Sequence, residues 1–248
     1  MKIFDKQPTD WRDLQNKCGK ILEDIGFHSE VEKDIKTVRG VVNVDVLATN
    51  KNITPNESII VECKYWNSKI PKSIIHSFRS VVADYGANSG FIVSKAGFQS
   101  GSFDAVKNTN VYLMEFDEFQ EHFKLRYLNY VTSKLQKIGY PLRKYSDWFK
   151  GTWDSEVEKL SDEKQKIHQQ LSVKYDTISM ASIIINYKNV MTGELELEYI
   201  DDVIKMQSEK FPKDVIINSY SEYFDWLINF CEIGVQEFDE LFGKKLRK

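Results

Sequence analysis

Glu62 and Lys64 stand two positions apart in the run Ser58 to Trp66, SIIVECKYW, and Asp45 precedes them in VVNVDVLAT. In a β-strand that spacing puts Glu62 and Lys64 on one face, while Ile59, Val61, Cys63 and Tyr65 line the other as an apolar row. Carboxylates held beside a buried strand surface can bind a hard divalent cation, which keeps several of its waters. An ammonium next to them can stabilise charge on a phosphoryl oxygen or orient an attacking water. The chemistry these three residues suit is metal-assisted hydrolysis of a phosphodiester.

Such a site works only if local structure brings Asp45 to the pair. Alternation in Val41 to Leu47 sets Asn43, Asp45 and Leu47 on one face and Val42, Val44 and Val46 on the other, so Asp45 interrupts a strand that otherwise reads as buried. If Val41–Thr49 and Ser58–Trp66 are neighbours in one sheet, joined through the polar segment around Pro55 and Asn56, their polar faces coincide. Asp45 and Glu62 would then offer oxygens to one Mg²⁺, with Mn²⁺ as a substitute, and the backbone carbonyl of Cys63 is a further candidate ligand.

The surrounding elements follow from pattern. Thr9 or Asp10 can cap a helix whose apolar positions Trp11, Leu14, Cys18, Ile21, Leu22 and Ile25 keep helical spacing, with Gly26 placed for a left-handed end. Pro71 suits the first turn of a helix reaching about Asp84, and Gly90–Ser94 reads as a short buried strand. A helix near Ser102–Lys107 and a strand Val111–Glu115 complete an order that predicts a mixed sheet with helices on both faces and parallel pairing across the crossovers.

From Glu118 the texture changes. The pattern predicts a helix to Lys137, a break at Gly139-Tyr140-Pro141, an aromatic cluster of Tyr145, Trp148, Phe149 and Trp153, and a charged helix over Asp154–Gln170. Strands over Thr177–Tyr187 and Glu194–Tyr199 around a Thr192-Gly193 turn would follow, with a last helix through Phe242. The expected division is an α/β domain over 1–123 and a smaller α+β domain over 124–248 serving recognition, oligomerisation or partner docking.

Bulk composition narrows the classes. With a formal net charge of −3, attraction to a polyanion must come from a local patch and not from the whole surface. Cys18, Cys63 and Cys231 are too far apart, and odd in number, for a disulfide scaffold or a zinc-finger pattern. No stretch approaches the length of a membrane span or of a signal-peptide core, so a cytoplasmic protein is expected. No G-x-x-x-x-G-K-[ST] loop occurs, so any movement along DNA would need a separate ATPase or helicase partner.

An aspartate and then, after a loop, Glu-x-Lys on consecutive strands behind an N-terminal helix resembles the PD-(D/E)XK nuclease superfamily, more closely its Mrr-like restriction endonuclease branch. LQNKCGKILEDIGF (Leu14–Phe27), RGVVNVDVLA (Arg39–Ala48), VECKYW (Val61–Trp66) and GFIVSKAGFQSGSFDAV (Gly90–Val106) carry the resemblance, which covers about Trp11 to Phe119. It implies a restriction-endonuclease-like sheet, Asp45 and Glu62 as metal ligands, Lys64 as the catalytic lysine, and Gln15 at the first-helix position where family members carry an acidic residue or glutamine. It also implies DNA as substrate, a role in restriction or defence, and a homodimer if both strands are cut.

Two outlying features are candidates for phosphate contact. Lys69, Lys72, His76 and Arg79 fall along one side of the helix after the Glu-x-Lys strand, and Gly97–Gly101 (GFQSG) ends at a predicted helix start. A charged helix face is also what solvent alone would select. Two rival readings remain open: a DNA-binding module that has lost its chemistry, and a protein-interaction component of a multi-subunit defence or repair system.

Overall fold

A computed structural model describes residues 1–146 and 154–243, and contacts divide the chain into two units, Lys2–Tyr127 and Leu128–Lys248 with Met1. The first unit opens with α1, Trp11–Glu23, whose N-cap Asp10 accepts the backbone N–H of Asp13. Capping of this kind satisfies one of the orphan donors of the first turn. Gly26 takes a φ of 92° where the chain leaves the helix, a conformation that only glycine adopts without strain.

The five strands are β1 (His28–Thr37), β2 (Gly40–Asn50), β3 (Glu57–Lys64), β4 (Ser89–Ser94) and β5 (Val111–Glu115), and they lie in the sheet in that order. β1, β2 and β3 pair antiparallel. β3, β4 and β5 pair parallel, through the helix α2 (Lys72–Tyr85) and then through a 3-10 turn at Phe103–Val106. The mixed sheet flanked by helices is thus the expected one, with two differences. β1 is a strand that sequence pattern passes over, because HSEVEKDIKT buries only Ile35 of its ten residues and so shows no apolar row. The predicted helix after Gly101 is a single 3-10 turn with no buried residue to extend it.

α1 lies against the first three strands, and Gly19 makes the close approach possible: a Cβ there would meet Ser29 Oγ at 3.1 Å and Val31 Cγ2 at 3.3 Å. α2 covers a core in which Ile60, Ile75, Phe78, Val82 and Ile92 pack together. Gly90 serves that packing in the same way, since a Cβ there would lie 2.5 Å from Val82 Cγ2.

Every described element of the second unit is a helix. α3 (Phe116–Ser146) enters it, followed by α4 (Asp154–Val157), α5 (Asp162–Ser179), α6 (Ala181–Thr192), α7 (Leu197–Ser208) and α8 (Tyr220–Phe242). This overturns the α+β expectation. The run Thr177–Tyr187 ends α5 and begins α6, where Ala181, Ser182, Ile185 and Asn186 are buried and Ile183 is exposed. Burial at i, i+1, i+4 and i+5 is a helical stripe, and three consecutive isoleucines hid it as a strand-like block. Glu194–Tyr199 leads into α7 in place of a strand, although Gly193 does turn at a φ of 75°.

The break expected at Gly139-Tyr140-Pro141 is also absent, for α3 runs through it with Pro141 inside. Leu142 and Tyr145 are buried just beyond it. Burying those two side chains offsets the roughly 3 kcal/mol that an interior proline costs a helix. Of the predicted aromatic cluster, Tyr145 stacks on Phe238 at 5.1 Å, whereas Trp148, Phe149 and Trp153 lie outside the described residues.

Candidate functional site

Strand pairing itself builds the site. The β2–β3 ladder runs from Asn50↔Glu57 to Val46↔Val61 and stops. Beyond that point β2 stays paired with β1 as far as Gly40, and β3 stays paired with β4 as far as Lys64↔Ser94. The two strands part, and Asp45 and Glu62 are the residues immediately past the last pair.

Asp45 occupies the crotch of this fork. Its Oδ2 accepts the backbone N–H of Cys63 at 2.6 Å, so a side-chain carboxylate takes the place of the ladder carbonyl that the splayed strand no longer supplies. Its Oδ1 accepts from Nε2 of Gln15 on α1 at 2.8 Å. Gln15 is only 4% exposed, on the same helix face as Leu14 and Cys18, so the docking of α1 fixes its amide.

The strand is irregular at this point. Val44 packs in the core beneath α2 with Ile60, whereas Val46 lies under Gly19 of α1. Regular alternation, which would keep Val44 and Val46 on one face, is broken at Asp45. Across the β1–β2 pairing Glu32 sits opposite with a φ of 50°, a left-handed conformation uncommon outside glycine.

Glu62 and Lys64 continue the row of Ile60 along β3 and form an ion pair with each other. Burial, and after it the negative charge of Asp45, raises the Glu62 carboxyl above the ordinary glutamate range, and the pairing with Lys64 draws it part of the way back. Lys64 Nζ also lies 5.6 Å from the centroid of the Trp66 ring. Cys63 points its thiol the other way, against Cys18 of α1, where burial first and the hydrogen bond with Cys18 second push its titration well up. The Cys63 side chain is therefore protonated packing, and what it presents to the fork is backbone.

The remaining sequence candidates are spread more widely. Lys69 precedes α2, so it is not on that helix; it and Lys72 are exposed, with the Lys72 side chain lying over Gly101. Arg79 is half-buried and donates from Nη1 to the carbonyl of Ala105 at 2.8 Å, which gives it a bracing role between α2 and the 3-10 turn. His76 is exposed on α2. GFQSG leads into a 3-10 turn of four residues, too short to present a helix N-terminus.

Residues not singled out by sequence pattern line a cavity of about 360 Å³ at the carboxyl ends of β3, β4 and β5, among them Lys95 and Glu115. The signal that could have found them is positional: Lys95 directly follows β4 and Glu115 closes β5, both parallel strands, and ligands of open α/β sheets sit at such ends.

Among the described residues no cluster of three or more His, Cys, Asp or Glu side chains gathers, so a cation here would rest on two carboxylates and backbone oxygen. Two neighbouring carboxylates, one of them destabilised by the charge of the other, are a donor set that a hard dication fits. No helix among these residues is long and apolar enough to cross a membrane.

Fold and fork together define a restriction-endonuclease-like α/β domain. Residues 7–123 match the family model Mrr_cat, described as restriction endonuclease. The N-terminal half of the chain belongs to this family, a nuclease family of the PD-(D/E)XK type. No curated protein matches the chain. A solved structure, the crystal structure of the protein of unknown function AF1548, is similar over 81% of this chain and 98% of its own, at 13% identity and a TM-score of 0.39.

Proposed function

We propose that the protein is a Mg²⁺-dependent endodeoxyribonuclease acting in restriction or defence against foreign DNA, with its active site at the β2–β3 fork. The observation that carries this reading is the meeting of Asp45 and Glu62 just past the last β2–β3 pair, with Lys64 bound to Glu62. Asp45, Glu62 and the carbonyl of Cys63 would hold the ion, Mn²⁺ serving as a substitute. A bound dication supplies Lewis-acid activation of the phosphoryl oxygen and a lowered pKa for its water.

The chain's own residues do the rest. Asp45 is immobilised by two hydrogen bonds before any ligand arrives, so little reorganisation remains to be done. Gln15, a neutral amide, orients that carboxylate without adding charge. Lys64 exchanges its partner Glu62 for the scissile phosphate, donating to a non-bridging oxygen or holding the attacking water. Exposed Lys69 and Lys72 would contact the DNA backbone, with Arg79 bracing the helix that carries Lys72. A homodimer would supply the two sites that double-strand cleavage needs, and any translocation would be driven by a separate ATPase or helicase.

Plasmid nicking in Mg²⁺ or Mn²⁺ tests the reading. Wild type is expected to convert supercoiled to open-circular DNA, and Asp45→Ala and Lys64→Ala are expected to lose at least about a hundredfold in rate. A clean wild-type preparation indistinguishable from both variants would leave a DNA-binding module without chemistry, the reading that a neutral Gln15 favours.

A further inference from the structure

We propose that the cavity at the carboxyl ends of β3, β4 and β5 binds one unpaired guanine base of the strand that the fork acts on, an inference that rests on the nuclease reading. The cavity adjoins the fork through two chain neighbours, since Tyr65 follows Lys64 and Leu14 precedes Gln15, and both line it. Its volume of about 360 Å³ is in the range of small-ligand pockets.

Its lining mixes apolar surface from Tyr65, Pro8, Leu14 and Phe116 with polar groups, Lys95 and Glu115 among them, and a base needs both. The Tyr65 hydroxyl donates to the carbonyl of Pro8 at 3.1 Å, which ties two of the lining residues together. Lys95 is held in place, with Nζ 2.9 Å from Asn67 Oδ1 and 4.3 Å from the centroid of the Tyr65 ring, and an ammonium has three hydrogens to give.

Glu115 is the group that selects. Its carboxylate makes no hydrogen bond or ion pair with any described residue, although its backbone N–H is fixed by Glu118 Oε2 at 2.8 Å. The neighbouring Asp117, by contrast, has both oxygens engaged, by Lys2 and Gln7 at 2.7 Å each. An open carboxylate and a positioned ammonium lining one cavity suit the Watson–Crick edge of guanine, whose N1–H and N2–H donate side by side to a carboxylate while O6 accepts from a lysine. Cytosine and adenine each offer a single exocyclic donor group on that edge, and thymine a single N3–H. A base reaches such a pocket only out of the stack, in a single strand or after extrusion.

The test is fluorescence anisotropy of the full chain, with EDTA present, on oligothymidylate strands of about 12 nucleotides carrying a central guanine, thymine or abasic position. Wild type is expected to bind the guanine strand about tenfold more tightly than either other strand. Glu115→Gln should abolish that preference while binding the all-thymine strand equally or more tightly, since a negative charge has gone; a misfolded variant would lose both. Lys95→Met should weaken the guanine strand more than the abasic one. Equal affinity of wild type for the three strands, binding of none, or a preference that survives in Glu115→Gln overturns the proposal. Because cleavage is scored separately by its dependence on Asp45, a guanine preference without Asp45-dependent nicking would retire the nuclease and not the pocket.

Discussion

The carboxylate of Asp45 accepts the backbone N–H of Cys63 at 2.6 Å, across the point where β2 and β3 separate. One side chain therefore closes the sheet and faces the fork, and its two roles can be pulled apart. Asp45→Ala leaves a half-buried N–H without its acceptor, at a cost of about 1–3 kcal/mol, and should lower the Tm by several degrees as well as abolish nicking. Asp45→Asn keeps an oxygen for Cys63 and can meet a flipped Gln15 amide, so its Tm should stay near wild type while nicking is still lost. Thermal denaturation beside the plasmid assay checks the pair; an Asn variant as unstable as the Ala variant would show that charge and not acceptance holds the fork.

Glu62 should make stability fall with rising pH. Its carboxyl is raised by burial and then by Asp45, so between the unfolded value, about 4.3, and the raised folded value the native state binds the extra proton. In that window the unfolded state holds fewer protons, and unfolding free energy drops as pH climbs. Denaturant melts of wild type and Glu62→Gln without metal should show the wild type losing ground to the variant as pH rises through the window and a constant difference above it. The proton also competes with a cation, so stabilisation by Mg²⁺ should grow over the same window.

Gln15→Glu places a third carboxylate against Asp45. Without metal the variant should lose about 1–2 kcal/mol, because a donor has become a like charge. In saturating Mg²⁺ it should recover more stability than wild type does, since binding to the native state adds stability by mass action. Melts with EDTA and with Mg²⁺ decide this, and an equal response of the two proteins would mean that Gln15 lies outside the reach of the ion.

Pro141 interrupts the hydrogen bonding of α3 near its C-terminal end, in a helix that continues to Ser146. Pro141→Ala restores a donor and removes a ring clash, and should stabilise the protein by about 1–3 kcal/mol. A lowered Tm would show instead that a kink at this position is what seats Leu142 and Tyr145.

Much of the first unit is written locally. The helical spacing from Trp11 to Leu22, the apolar runs at Ile59–Val61 and Gly90–Val93, and Pro71 ahead of α2 each specify an element through neighbours in the chain. β1 left no such trace because an edge strand buries little, and only its pairing with Val41–Thr49 reveals it. The second unit misled for the opposite reason: in Ile183-Ile184-Ile185 every residue is apolar, so no period shows, and the partners of α6 decide which of the three is buried.

By itself the sequence determined the chemistry available, an aspartate, a glutamate and a lysine at strand spacings behind an amphipathic helix, and its family resemblance singled out Gln15 on that helix, whose burial only the structure shows. It could not say that β2 and β3 part just past Val46 and Val61, because where a ladder ends depends on what each strand finds on its other side. Nor could it bring Tyr65, Lys95 and Glu115 around one cavity, since they end three different strands. Those relations arise only when the sheet closes, because its parallel order, set by crossovers of many residues, is what juxtaposes strand ends that are far apart in the chain.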